Sequence, residues 1–174
     1  MNIEDVAKTS PDIVIVAETQ ADIAAREALL DRAMGPKRRK KSSEKLRRGR
    51  RPSEGLAFVA RDEAGAVIGT VRLWDVRLGE GGQAALLLGP LAVDPMIKSV
   101  GIGSALMRHA VAEAARLGHR AVLLVGDAPY YSRFGFQKLE GVEMPPPTNP
   151  DRVLGLELKA GAWKGITGRV TKAT

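Results

Sequence analysis

The 174-residue sequence contains no cysteine. Disulfide frameworks, zinc ribbons, iron–sulfur ligation and thiol nucleophiles are therefore excluded. Histidine occurs only twice, as His109 and His119. A histidine-rich metal site is excluded with it, and a histidine base has little choice of position. Aromatic residues make up 4 % of the chain, and none falls in its most basic stretch, which leaves base stacking without a platform there. No apolar run approaches the length of a membrane span. The start, Met1-Asn2-Ile3-Glu4-Asp5, lacks the basic and then apolar pattern of a secretory signal. The expectation is one cytoplasmic domain, 1–174, without a membrane partner and without a metal.

What the sequence does have is a concentrated charge. The net charge is +7. Lys37 to Arg51 alone carries +9, from ten bases and Glu44, and the remainder of the chain sums to −2. This variable segment, 36–52, reads in three ways. It is a solvated loop, a patch for nucleic acid or a membrane surface, or a gate that selects an acidic or phosphorylated partner.

Hydrophobic periodicity orders the rest. Ile13–Ala17 reads as a strand, and Thr19 with Asp22 reads as a helix start. Ala21–Met34 is helical until Gly35-Pro36. A short basic helix is expected from Ser42 or Ser43 to near Gly49. Leu56–Arg61, Val67–Val76 and Ala84–Val93 are strands joined by the turns Asp62–Gly65 and Gly79–Gly82. The last of these strands is nearly all apolar, as in a strand covered on both faces. Ser104–Leu117 is an amphipathic helix with a stripe of Ile102, Leu106, Ala110, Ala114 and Leu117, and Gly118 closes it. Ala121–Val125 is a buried strand, which makes a βαβ unit with a parallel pair. A short helix near Pro129–Phe134, a strand at Phe136 and a last strand Val153–Leu158 follow.

The chemistry concentrates where the apolar strand ends at Val93 and Gly101-Ile102-Gly103-Ser104 opens the helix. Glycines there allow close approach, and the free N–H groups of the first turn form an anion site suited to a pyrophosphate. A Walker A loop is absent. A dinucleotide fingerprint is excluded because its third glycine is replaced by Leu106.

Leu91-Ala92-Val93-Asp94-Pro95, then Lys98-x-x-Gly101-x-Gly103, and later Tyr130-Tyr131-Ser132-Arg133-Phe134-Gly135-Phe136, resemble the GNAT N-acetyltransferases. Gly126-Asp127-x-Pro129-Tyr130-Tyr131 further resembles a bacterial subgroup of predicted acetyltransferases. The resemblance covers 13–158. The superfamily usually has Arg or Gln at 98, often Gly at 99, and Arg, Lys or Gln at 100. This chain has Lys98, Ser99 and Val100, and Val100 supplies no side-chain donor.

The resemblance implies an α/β acyltransferase fold, a mixed twisted sheet of about six or seven strands flanked by helices. It implies acetyl-CoA as co-substrate and a primary amine as acceptor, attacked directly in a ternary complex, and a homodimer as the common arrangement. It places the donor against Leu91, Ala92, Val93, Lys98, Ser99, Val100, Gly101, Ile102, Gly103 and Ser104, with Asp127 and Tyr130 on its wall. The Val93 N–H is the expected oxyanion donor and Tyr131 the acid for the leaving thiolate. No general base stands out; Asp75 is the first candidate, with Glu18 and Glu80 behind it. Variable segments of the family frame the acceptor, so Arg47, Arg48 and Trp74 are expected to touch it, and the charge favours an anionic or macromolecular acceptor. The competing reading is a non-catalytic module of the same fold that binds nucleic acid or an acidic protein through 37–51.

Overall fold

The computed structural model describes residues 13–79, 82–97 and 101–173. Strand β1 (Val14–Ala17) leads through a 3-10 turn into helix α1 (Ile23–Met34). The Asp22 carboxylate caps the entry, accepting from the Thr19 N–H at 2.8 Å and the Thr19 hydroxyl at 3.0 Å. Helix α1 stops at Gly35 because Pro36 follows. The basic segment forms two 3-10 turns, Pro36–Lys40 and Ser42–Leu46, in place of the expected helix. Ser42 does not cap it; its hydroxyl lies 2.7 Å from that of Thr148. Burial of Arg38, Leu46 and Arg47 sets the path here, and short 3-10 turns bring these side chains inward.

Strands β2 (Ala57–Arg61), β3 (Val67–Leu78) and β4 (Gln83–Val93) form an antiparallel meander. Helix α2 (Ile102–Arg116) crosses to β5 (Ala121–Val125), which lies parallel to β4. Its end is a Schellman motif, with the Gly118 N–H on the Ala115 carbonyl and the His119 N–H on the Ala114 carbonyl. Helix α3 (Ala128–Tyr131) precedes β6 (Gln137–Lys138), β7 (Val142–Glu143), β8 (Val153–Glu157) and β9 (Gly168–Lys172). The main order is β1-β2-β3-β4-β5-β8-β6, with β9 joining β3 to β7.

Among the described residues the sheet therefore has nine strands where six or seven were expected. The additions are β7, of two residues, and β9, which buries Val170 and pairs with the far half of β3. Both depend on partners distant in sequence. One layer of core packs Leu106, Met107 and Ala110 of α2 against the sheet, and the other packs Leu46 and Trp74 among β4, β5 and β9. Leu117 leaves the expected stripe and is 42 % exposed, since the helix ends at Arg116.

Gly69 on β3 is the point of closest approach of α2. A Cβ there would lie 2.9 Å from Leu106 Cδ1 and 3.3 Å from Ala60 Cβ and Ile102 Cγ2. Gly69→Ala should lower stability by about 1–3 kcal/mol through overpacking. A denaturant midpoint that falls with an unchanged slope checks this.

Candidate functional site

The site forms where a parallel pair comes apart. Strands β4 and β5 are registered only at Leu86↔Val122 and Leu87↔Leu123. Beyond Leu87, β4 shifts register against β3: Val71 faces Leu91 and Leu73 faces Leu88, so Gly89 and Pro90 share one partner position, Arg72. This is a β-bulge. The Trp74 indole N–H pins it, donating to the Gly89 carbonyl at 2.6 Å. Gly89 sits at φ 139°, in a region that excludes most side chains, and a Cβ there would meet Arg47 Nη1 at 3.0 Å. The Gly89-Pro90 pair within an apolar run is the sequence signal of this bulge, missed in reading the strand as continuous.

Past the bulge, the Asp94 N–H bonds the Ile68 carbonyl at 2.8 Å. Alternation along a strand then turns the Val93 and Leu91 N–H groups away from β3, toward the gap that β5 leaves open. Helix α2 starts beside this gap. Gly101 is its N-cap at φ 99°, and the helix runs 15 residues, so the first-turn N–H groups of Ile102, Gly103 and Ser104 carry the positive end of its dipole. Gly103 approaches Val93 and Tyr130: a Cβ built on it would lie 3.7 Å from Val93 Cγ2 and 3.5 Å from the Tyr130 hydroxyl. The backbone donors and the bare glycine match the chemistry of a pyrophosphate followed by an amide-bearing arm. Lys98, Ser99 and Val100, expected in the same loop, lie outside the described residues, as does Glu80.

Across the gap stands Tyr131. Gly126 makes room for it, since a Cβ at that position would be 2.4 Å from Tyr131 Cε2. Tyr131 meets Tyr130 edge to face at 4.9 Å and Phe136 at 6.1 Å. Burial pushes its phenol above the usual range, and Tyr130 and Asp127 add to the rise against Arg152. Asp127 is the N-cap of α3, accepting from the Tyr130 N–H at 3.3 Å. The Tyr130 ring is covered by the Arg133 guanidinium at 4.7 Å.

A pocket of roughly 100 Å3 joins the bulge, Leu124, Val125 and Tyr131 to Met34, Lys41, Ser43 and Arg47. Of the residues expected at the acceptor, Arg47 lines it. Arg48 does not; it is exposed and donates to the Arg39 carbonyl. Trp74 lies beneath, holding the bulge. Asp75 is not brought to this pocket: its carboxylate accepts from Ser53 at 3.0 Å and its carbonyl from Arg50 at 2.7 Å. Glu18 is buried between Arg72, at 2.5 Å, and Arg26, at 3.1 Å, which commits it to an ion-pair network. Burial in that network pushes the Arg26 guanidinium down to about 10. Among the described residues that line the pocket none is a carboxylate. His109 packs edge-on against Phe58 at 4.6 Å.

The basic segment is thus part of the architecture. Arg38 pairs with Asp31 at 2.8 Å, Lys45 donates to the Pro146 carbonyl, and Arg50 also caps Leu46 and Ala173 carbonyls. A larger open groove, about 640 Å3, lies between β6, β8 and the Gly161–Thr167 loop. Its Glu157 carboxylate is already taken by the Gly161 and Trp163 N–H groups. Among the described residues no three His, Cys, Asp or Glu are grouped to hold a metal, and no helix is long and apolar enough to cross a membrane.

Comparison with known proteins agrees with this geometry. Residues 53–138 match the family model of the acetyltransferase (GNAT) domain. The chain is 34 % identical over 82 residues to the uncharacterized N-acetyltransferase YhbS of Escherichia coli, covering 47 % of this chain and 49 % of that one. It thus spans about half the length of the curated relatives it matches. The crystal structure of YhbS in complex with CoA superposes with a TM-score of 0.79 at 29 % identity, over 93 % of this chain and 90 % of that one. A GNAT family acetyltransferase from Brucella melitensis in complex with acetyl-CoA shares the fold, with a TM-score of 0.71 at 24 % identity, over 93 % and 96 %.

The chain has only two tyrosines, so Tyr130→Phe isolates Tyr131. Its phenolate absorbance should appear above the ordinary phenol range of about 10. Gly126→Ala, by displacing the ring toward water, should bring that titration down. Because the folded phenol is raised, its contribution to stability is intact below the unfolded value and is lost as pH rises through the folded one.

Proposed function

We propose that this chain, which belongs to the GNAT acetyltransferase family, moves an acetyl group from acetyl-CoA to a primary amine. The observation that carries the reading is the end of β4 that β5 leaves unpaired, with its N–H groups turned into a gap between the α2 N-terminus and the half-buried Tyr131 phenol. Acetyl-CoA supplies the activated acetyl group as a thioester. The α2 first turn, with Gly101, Ile102, Gly103 and Ser104, is the seat for the diphosphate, together with Lys98, Ser99 and Val100. Leu91, Ala92 and Val93 run beside the pantetheine arm, with Asp127 and Tyr130 on the wall opposite.

Each remaining role belongs to a group of the chain. The Val93 N–H donates to the carbonyl oxygen as negative charge develops on it. The Tyr131 phenol, whose hold on its proton burial strengthens, gives that proton to the departing thiolate sulfur. The excess proton on the newly acylated nitrogen returns to the phenolate through water, leaving amide, CoA thiol and phenol. Bulge and pocket hold the amine nitrogen beside the acyl carbon, which supplies rate by proximity. With no carboxylate lining the pocket, the ammonium proton leaves to water before attack.

Saturating acetyl-CoA at 100 times its dissociation constant should raise stability by about 2.7 kcal/mol, read by thermal unfolding. Gly103→Glu tests the seat. Its Cβ fits in ordinary contact, and a carboxylate in the first turn suits the dipole. The variant should fold as well as the parent and lose the acetyl-CoA shift. An unchanged shift would overturn the seat.

Tyr131→Phe should lower kcat by about 10²–10⁴-fold with little change in KM for acetyl-CoA. The parent's rate should rise with pH through the acceptor amine's own pKa, since no carboxylate is among the described residues that line the pocket. A plateau reached well below that pKa would require a base elsewhere.

A further inference from the structure

We infer that the acceptor is a small amine bearing one carboxylate and an apolar body, and that Arg47 is the residue that binds the carboxylate. The assignment rests on the acetyl-transfer reading above and adds the substrate class to it.

Arg47 is an unusual cation for a basic surface segment. Its side chain is 8 % exposed, yet its guanidinium is only partly satisfied. Nη2 faces the Glu44 carboxylate at 3.2 Å and the Ser43 hydroxyl at 3.4 Å. Nε is buried without a hydrogen-bond partner. Nη1 lies against Gly89 at the bulge, so close that a Cβ there would be 3.0 Å away, and both residues line the pocket that reaches Tyr131. A buried donor left unmatched is unfavourable, and an anion entering from the pocket meets the same guanidinium at Nη1, the nitrogen beside Gly89. Burial also depresses the guanidinium's affinity for its proton, against the pull of Glu44, which is the setting in which an incoming negative charge gains most.

Size and charge select among anions. The pocket is roughly 100 Å3, too small for a folded partner. Arg47 and Lys41 face it, and Glu44 neutralises one of them, so the net local charge is +1. That complements a single carboxylate better than a phosphate dianion. The rest of the lining is mixed: Met34, Leu91 and Val125 are half-buried and apolar, with Leu87, Leu88 and Leu124 buried behind them, while Ser43 and Tyr131 are polar. The half-buried apolar members suit an aliphatic or thioether side chain. The arrangement is that of an apolar amino acid, anchored by its carboxylate, with its amine turned toward the gap.

The test compares leucine and methionine with the primary amines that lack their carboxylates, isopentylamine and 3-(methylthio)propylamine, and with 1-amino-3-methylbutylphosphonate. CoA release is measured for the parent, Arg47→Gln, Arg47→Lys and the control Lys159→Gln, an exposed charge outside the basic segment. Arg47→Gln should lower kcat/KM for the amino acids by about 10–100-fold, the loss of a charge-assisted contact, and leave the plain amines within about twofold. The amine's own basicity cancels in that comparison. Arg47→Lys should fall between, and Lys159→Gln should match the parent. A retained acetyl-CoA shift in thermal unfolding shows that each variant is folded.

Equal loss for acids and plain amines would overturn the assignment by making Arg47 merely structural. Preference for the phosphonate would replace carboxylate by phosphate-type recognition and overturn it as stated. Calorimetry of leucine and methionine with the CoA-bound protein, finding no binding that Arg47→Gln removes, would overturn it even without turnover. Absence of any acetyl-CoA shift in the parent would overturn the acetyl-transfer reading itself, and this assignment with it.

Discussion

The bulge at Gly89-Pro90, held by the hydrogen bond from the Trp74 indole to the Gly89 carbonyl, governs the rest of this structure. A parallel strand pair satisfies its backbone groups mutually. Where β4 leaves register, β5 no longer follows, and the donors beyond Leu87 need other partners. The same displacement gives a guanidinium access to the bulge from below and leaves Tyr131 facing it from the side. A regular β4 would carry its pairing with β5 further and close the gap in which the pocket lies. One indole N–H on one buried carbonyl thus separates a binding cleft from an ordinary sheet.

Around the bulge the fold uses buried charge to set orientation. Glu18 at the end of β1 lies between Arg72 on β3 and Arg26 on α1, and Glu27 and Asp31 on α1 carry the network on to Arg38. Buried ion pairs contribute little net stability over a well-packed apolar alternative. They do penalise any other arrangement heavily, because one misplaced partner leaves a charge alone. Here the network fixes the angle of α1 and the start of the basic segment relative to β3. It therefore fixes where Met34 and Lys41 meet β4. A purely apolar contact at α1 would tolerate sliding that this site does not.

Local and non-local determinants explain what was legible in the residues. The α2 helix, its glycine start and Schellman end, and the apolar strands on both sides of it follow from periodicity and from glycine positions within a few residues. They are where the amphipathic stripe and Gly118 placed them, apart from Leu117 at the frayed end. Strands β7 and β9 escaped because nothing near Val142 or Val170 marks them; their pairing is with residues distant in sequence. The 3-10 course of the basic segment escaped for a related reason. Residue-type arithmetic sees ten bases, whereas the fold spends Arg38, Arg47 and Arg50 on internal acceptors. Asp75 followed a tryptophan on a central strand and so looked catalytic, but its neighbour Ser53 reaches it from a loop that no pattern announces. The bulge was visible as Gly89-Pro90, and its consequence needed the β3 register.

These two fates of positive charge imply different kinds of selectivity. Exposed bases such as Lys37, Arg39 and Lys40 act through a field that salt screens within about 10 Å at moderate ionic strength. They influence how quickly an anion arrives, whatever its shape. Arg47 acts at contact, behind protein that excludes water, where screening is weak and geometry decides. A substrate drawn by the surface but unable to present an acidic group to Arg47 would arrive quickly and leave quickly. One that does so keeps its amine beside the gap, and only that residence lets proximity operate. The basic segment thus divides into an outer part that concentrates anions and one inward residue that discriminates among them. On the acceptor assignment proposed above, discrimination stays inside because Glu44 and Ser43 hold one edge of the buried guanidinium and leave Nη1 beside the bulge.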